Sequence, residues 1–225
     1  MKKIIILASV LIIGTVVSCQ QDDYEEMTYS CNKRLNQWAH ENINDISLMD
    51  RQAWLKLSEE YKKPAFNAFT PEQKLLFWKN KLEEVLKTFT WNKNEIAHIL
   101  KLYAYLDEHP NMYEEEIMND SLEHDRFARF AYKWKNDAYI DLNWSEELVY
   151  AIACTGHTML DKEGNYETFI IERNSSKSET SQNKDCNCYI GNNRQCKEKK
   201  CNAQNSCDTL YKFRCNGILE KYGNI

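Results

Sequence analysis

A chain of 225 residues with nine cysteines but only six glycines and three prolines has room for one domain of ordinary size plus a smaller unit. It is too poor in glycine and proline to be collagen-like or low in complexity. Its net charge of −5 is unevenly divided: residues 185–225 hold seven basic and four acidic side chains, a net of +3, while residues 20–184 sum to −10. Opposite signs either dock the two segments on each other, draw the tail to an anionic surface, or simply keep both soluble. No aromatic-basic stacking motif occurs, so nucleic acid is not expected as a partner.

At the N-terminus Lys2 and Lys3 precede an apolar run from Ile4 to Val17. That run is shorter than the about 20 residues a bilayer-crossing helix needs, so residues 1–18 read as a signal peptide. Val16-Val17-Ser18-Cys19 stands where a lipobox would be, and the segment resembles the bacterial lipoprotein signal. The resemblance implies cleavage before Cys19 and acylation of that residue, the membrane partner being reached through the lipid; an ordinary secretory signal is the alternative. Residues 19–30 form an acidic tether whose Gln20-Gln21-Asp22-Asp23-Tyr24-Glu25-Glu26 is similar to the tether of Bacteroidetes lipoproteins displayed on the outer membrane. A plain solvated linker is the other reading.

Residues 31–172 read as a helical domain. Leu35, Trp38, Ala39 and Ile43 recur at helical spacing, as do Ala53, Trp54, Leu57 and Tyr61. Thr70-Pro71-Glu72-Gln73 supplies an N-cap, a first-turn proline and a capping box ahead of Leu75, Trp78, Leu82, Val85 and Leu86. Asn92 and Glu95 start the next helix, which ends before Pro110. Further helices begin at Ser121, through Phe127, Phe130, Ala131 and Trp134, and at Ser145, through Leu148, Val149 and Ile152. The expected fold is mainly α, a bundle of five or six helices. All six tryptophans fall in this region and are expected in its core. The turn Lys162-Glu163-Gly164-Asn165 predicts a short hairpin.

Residues 173–184 contain no large apolar side chain and read as a polar linker. Beyond them, residues 185–225 carry Cys186, Cys188, Cys196, Cys201, Cys207 and Cys215 among few aliphatic or aromatic residues. About 40 residues seldom build an adequate core alone, whereas each disulfide contributes about 2–4 kcal/mol. The expectation is a small, loop-rich, disulfide-stapled module whose pairing is open, except that Cys186 and Cys188 are too close to join each other. Zinc would favour Cys-x-x-Cys arms or nearby histidines, and neither is present. Cys31 and Cys154 bracket the helical region, either bridged to each other or packed as free thiols.

Asp185-Cys186-Asn187-Cys188, the cysteines that follow, and Arg214-Cys215-Asn216-Gly217 together resemble the fulvocin C group of cysteine-rich bacteriocins and related lipoproteins. The resemblance covers the last forty or so residues. Fulvocin C has eight cysteines where this tail has six, so its full bonding pattern does not carry over. What it implies is an antibacterial role for the module on a surface-anchored lipoprotein; the charge difference separately suggests that the acidic domain covers the basic module until the linker is cut. The alternative is an envelope binding or scaffold lipoprotein that recognises a glycan or protein.

No catalytic residue, metal ligand set or cofactor motif is expected. Cys154 and His157 lie three apart but lack an orienting third group. Glu123-His124-Asp125 points to different sides of a helix. Glu114-Glu115-Glu116 reads as a solvated face, and His40, His98 and His109 have no metal spacing. Asp120-Ser121-Leu122 and Asp208-Thr209-Leu210 are similar to a three-residue O-glycosylation signal, although the first equally suits a helix cap.

Overall fold

The computed structural model describes residues 27–167, 185–186, 196–198, 205–214 and 217–219. The leader, Cys19, the acidic run 20–26, the segment 173–184, and Cys188, Cys201 and Cys215 lie outside them. The described chain is mainly helical. Nine helices run through residues 33–153: α1 (Lys33–Glu41), α2 (Ile43–Ser47), α3 (Arg51–Leu55), α4 (Glu59–Ala68), α5 (Pro71–Thr88), α6 (Lys93–Glu108), α7 (Glu115–Asn119), α8 (Ser121–Asp141) and α9 (Glu146–Ala153). None of the described helices is long and apolar enough to cross a membrane.

The helix count exceeds five or six because the first two apolar stretches are each broken. Asn42 turns its side-chain amide onto the Trp38 carbonyl at 2.8 Å, competing with the helical ladder, and α1 ends there. The second stretch breaks ahead of Glu59, so Ala53 and Trp54 belong to α3 and Tyr61 to α4. Short α7 has no buried residue and no apolar stripe to announce it.

The expected capping box at Thr70 is formed, and Asn92 with Glu95 forms a second. Gln73 N donates to Thr70 Oγ1 at 3.2 Å and Thr70 N to Gln73 Oε1 at 3.0 Å. The Gln73 amide also donates to the carbonyls of Ile46, Ser47 and Met49, tying α5 to the end of α2. At α6, Asn92 N donates to Glu95 Oε2 at 2.7 Å, and Glu95 N to Asn92 Oδ1 at 3.0 Å. Asp120 caps α8 by accepting from Leu122 N and Glu123 N, which is the role of that short motif here.

Helix α5 is central and packs against α3, α6 and α9. Its buried residues Phe77 and Trp78 join Trp54 and Phe66 in an aromatic cluster, with Trp54 and Phe77 edge-to-face at 4.9 Å. Trp54, Trp78, Trp91, Trp134 and Trp144 are buried, and Trp38 is partly buried against them. Beyond α9, Met159 and Tyr166 make an isolated antiparallel bridge across the turn, where Gly164 takes φ +89, while residues 168–171 of the expected hairpin lie outside the described residues.

The acidic tether ends sooner than residue 30. Tyr29 and Ser30 are buried: Tyr29 N donates to Asn36 Oδ1 at 2.7 Å, and the Tyr29 carbonyl accepts from Asn67 Nδ2 at 2.7 Å.

In the tail the described strands are two or three residues long: β1 (Asp185–Cys186), β2 (Cys196–Glu198), β3 (Asn205–Cys207), β4 (Phe213–Arg214) and β5 (Gly217–Leu219). They form an antiparallel sheet of order β1-β5-β2 and a separate bulged β3-β4 pair around a 3₁₀ turn, Thr209–Tyr211. That turn does not stand apart from the bundle. Leu210, Tyr211 and Phe213 are part of the same core as the helices. A boundary at 173–184 therefore does not separate residues 207–213 from the helical body. The reason lies in a local cluster of three large apolar side chains, which a low average over forty residues conceals.

Candidate functional site

The first feature of note is the seat of the tail. Tyr211 enters the aromatic cluster edge-on, its ring centroid 5.0 Å from Phe66 and 5.1 Å from Trp78. Its hydroxyl accepts from Gly156 N at 3.1 Å. Tyr113, buried, donates its hydroxyl to the Leu210 carbonyl at 2.7 Å. Phe213 packs 5.4 Å from Phe127. Asp208, Leu210 and Tyr211 all have φ between 51 and 59, a left-handed setting that costs a non-glycine residue about 1–3 kcal/mol. The surrounding burial and bonds hold them there.

One ion pair marks the seat: Lys135 of α8 donates to Asp208. Burial alone would raise the Asp208 pKa, but the Lys135 charge and hydrogen bonds from Thr209 outweigh it and hold the carboxyl below its usual value. In this pair the body supplies the base and the tail the acid. Thr209 is fully buried and donates its hydroxyl to Asp208 at 2.8 Å, so Asp208-Thr209-Leu210 presents no accessible hydroxyl for glycosylation.

Cys154 is a buried free thiol, which corrects the expected bridge to Cys31. Its sulfur donates to Asp208 Oδ1 at 3.4 Å and lies 3.8 Å from Thr209 Oγ1, so the position is filled by the tail rather than by a second sulfur. Burial, with the Asp208 carboxylate beside it, pushes this thiol up to about 12, which leaves it protonated and unreactive. Cys31 and Cys207 are each disulfide-bonded.

His157 does not face Cys154. Its Nε2 lies 3.1 Å from Glu59 Oε1 and its Nδ1 3.2 Å from Lys62 Nζ. An ammonium can only donate, so Nδ1 accepts and the ring proton sits on Nε2, toward Glu59. Burial lowers the His157 pKa, in keeping with this neutral tautomer. The ring stacks on Tyr166 and tilts against Trp54. What the sequence conceals is the cationic pair beside it. Arg51 donates to Gly156 O at 2.9 Å and pairs with Glu84 at 2.7 Å, and fully buried Lys81 donates to His157 O at 2.5 Å. A lysine inside a helical apolar pattern carries no sign of this role.

Burial, helped by the Arg51 charge, lowers the Lys81 pKa to about 7. Between that value and the about 10.4 of an unfolded lysine the native state holds fewer protons, so stability rises with pH across this window. Lys74, lowered to about 8 mainly by burial, acts in the same direction. Denaturant melts should show stability increasing from about pH 7 to about pH 9, by up to about 1.4 kcal/mol per unit for each such group, and a shallower slope in Lys81→Met. An unchanged slope in the variant would refute the assignment.

The second feature is a cavity of about 270 Å3 between the α6–α7 connection, α8 and the tail. Phe127, Met112 and Lys212 lie buried at its floor; Tyr105, His109, Ile117 and Glu123 form half-buried walls; Glu108, Pro110 and Asn111 form an exposed rim. The Lys212 ammonium donates to the Met112 carbonyl and approaches Met118 Sδ. Burial lowers its pKa to about 8 against the opposing pull of Glu123. Tyr105 is held between His109 and Phe130, with ring centroids 4.0 and 4.1 Å away.

The remaining residues singled out in the sequence do not converge. His124 packs on Phe213, His98 stacks on Trp134, and His40 lies against Tyr29. Among the described residues no group of His, Cys, Asp or Glu could hold a metal ion. No protein-family model, curated protein or solved structure matches this chain.

Proposed function

We propose that the chain is a lipid-anchored, non-enzymatic binding protein of the bacterial cell envelope, surface-exposed on the outer membrane, in which residues 207–213 of the cysteine-rich tail are a fixed part of the helical body. The observation that carries this reading is the placement of Leu210, Tyr211 and Phe213 in the core shared with the helices. A segment whose removal would open that core is poorly suited to release as a diffusible toxin. Anchoring at Cys19 and display on the surface rest on the leader and the acidic run after it.

The cysteine pattern supports a second reading, a fulvocin C-like antibacterial module stapled by disulfides. The two readings differ in what a cut does. With a site-specific protease sequence introduced within residues 173–184, the cleaved protein should run as one particle with an unchanged melting transition, and leave susceptible bacteria growing. Separation of the fragments together with growth inhibition by the released tail would establish the antibacterial reading instead.

A further inference from the structure

Cys31 is disulfide-bonded, and elimination narrows its partner. Cys154 is a free thiol and drops out. Of the nine cysteines that leaves Cys19 and the six between residues 186 and 215. In the reading of the chain as an anchored protein Cys19 is the acylated residue, so its sulfur is taken up by the lipid.

Helix α4 brings the remaining candidates toward Cys31. Tyr29, two residues before Cys31, offers its carbonyl to Asn67 Nδ2 at 2.7 Å. Arg34, three residues after it, donates to the Tyr61 hydroxyl at 3.2 Å and pairs with Glu60 at 2.5 Å. The chain around Cys31 therefore runs along α4 between Glu60 and Asn67. Lys63 lies on the same stripe of that helix, three residues from one and four from the other. Its ammonium donates to Cys207 Sγ at 3.6 Å, and strand β3, which ends in Cys207, packs on α4. The cysteine-bearing tail thus meets α4 where the start of α1 does.

We propose that Cys31 is joined to one of the six tail cysteines, so that the tail is strapped covalently to the start of the helical body. The exclusion of Cys19 rests on the anchored reading of the chain, and the strap deepens the fixed tail: a cut within residues 173–184 leaves the tail attached, and its release requires reduction as well. Cys31 is only half-buried, so a soluble dithiol can reach the bond. One thiolate of the dithiol attacks a sulfur of the bridge, giving a mixed disulfide and a protein thiolate that takes up a proton. The second thiol of the reductant then displaces the other protein sulfur, which leaves two protein thiols and the oxidised dithiol.

The test uses the intact oxidised protein with a site-specific protease sequence introduced within residues 173–184. After cutting and alkylation of free thiols it is run in sodium dodecyl sulfate with and without dithiothreitol. The cut wild type and Cys154→Ser should each run as one species without dithiothreitol and as two fragments with it, whereas cut Cys31→Ser should give two fragments without reductant. Peptide mapping of the unreduced wild type, which needs no variant to fold, should find the Cys31 peptide linked to one from residues 185–225. Two fragments from the unreduced wild type, a single species from Cys31→Ser, or a Cys31 peptide that is alkylated or linked to Cys19 would overturn the proposal. The detergent removes every non-covalent contact, so this experiment reads the bridge alone. The native cleavage experiment reads the shared core, and the two can fail separately.

Discussion

Tyr211→Ala is expected to lower the stability of the whole helical body by about 3–5 kcal/mol, the usual cost of removing a large buried ring. At about 2–4 °C per kcal/mol for a chain of this size, the melting temperature should fall by roughly 10 °C. The ring touches Phe66 and Trp78, and its hydroxyl is the acceptor for Gly156 N, so truncation opens a void and strands a buried donor together. Tyr211→Phe keeps the ring and should cost about 1–2 kcal/mol, the penalty of the stranded donor alone. Helical circular dichroism followed on heating separates these outcomes. If the alanine variant melted like the wild type, the tail would be an appendage and the shared core would be refuted.

Gly156→Ala should be the most damaging change for its size. A Cβ built at this position lies 2.3 Å from Phe77 Cζ, 2.6 Å from Phe77 Cε1 and 3.1 Å from Trp54 Cη2. Phe77 cannot simply swing aside, because it is itself enclosed by Trp54, Phe66, Phe69 and Trp78. Overpacking of this kind costs about 1–3 kcal/mol, and the upper end is expected here. Any shift of the backbone also disturbs the bonds from Arg51 to Gly156 O and from Gly156 N to Tyr211. Phe77→Leu removes the obstructing ring, so the double variant should lose less than the sum of the two single losses. Strict additivity in denaturant melts would show that the close approach is not what excludes a side chain at residue 156.

Both predictions converge on the loop from Cys154 to His157, where α3, α4, α5 and the tail meet. Its polar groups are bonded inward: Cys154 to Asp208, Gly156 to Arg51 and Tyr211, and His157 to Glu59, Lys62 and Lys81. Such a cluster has the perturbed titration that often marks an active site. Yet the thiol is protonated, and the histidine is already engaged at both ring nitrogens. The arrangement holds these elements together and leaves neither group free to act as a nucleophile or base.

Local chemistry was readable where a residue acts on its immediate neighbours. Thr70 with Gln73 and Asn92 with Glu95 announce their capping boxes, Gly164 its turn, and the apolar spacing of α5, α6 and α8 their buried faces. These depend on bonds spanning three or four residues, which a linear pattern records. Only the tertiary structure decided that Cys154 stays a free thiol, that Lys81 is buried, and that Leu210, Tyr211 and Phe213 complete the core. Each of those outcomes depends on a partner some 50 to 145 residues away, such as Asp208 for Cys154 or Phe66 for Tyr211. Burial and long-range contact are properties of the packed chain as a whole, so composition averaged along a segment cannot reveal them.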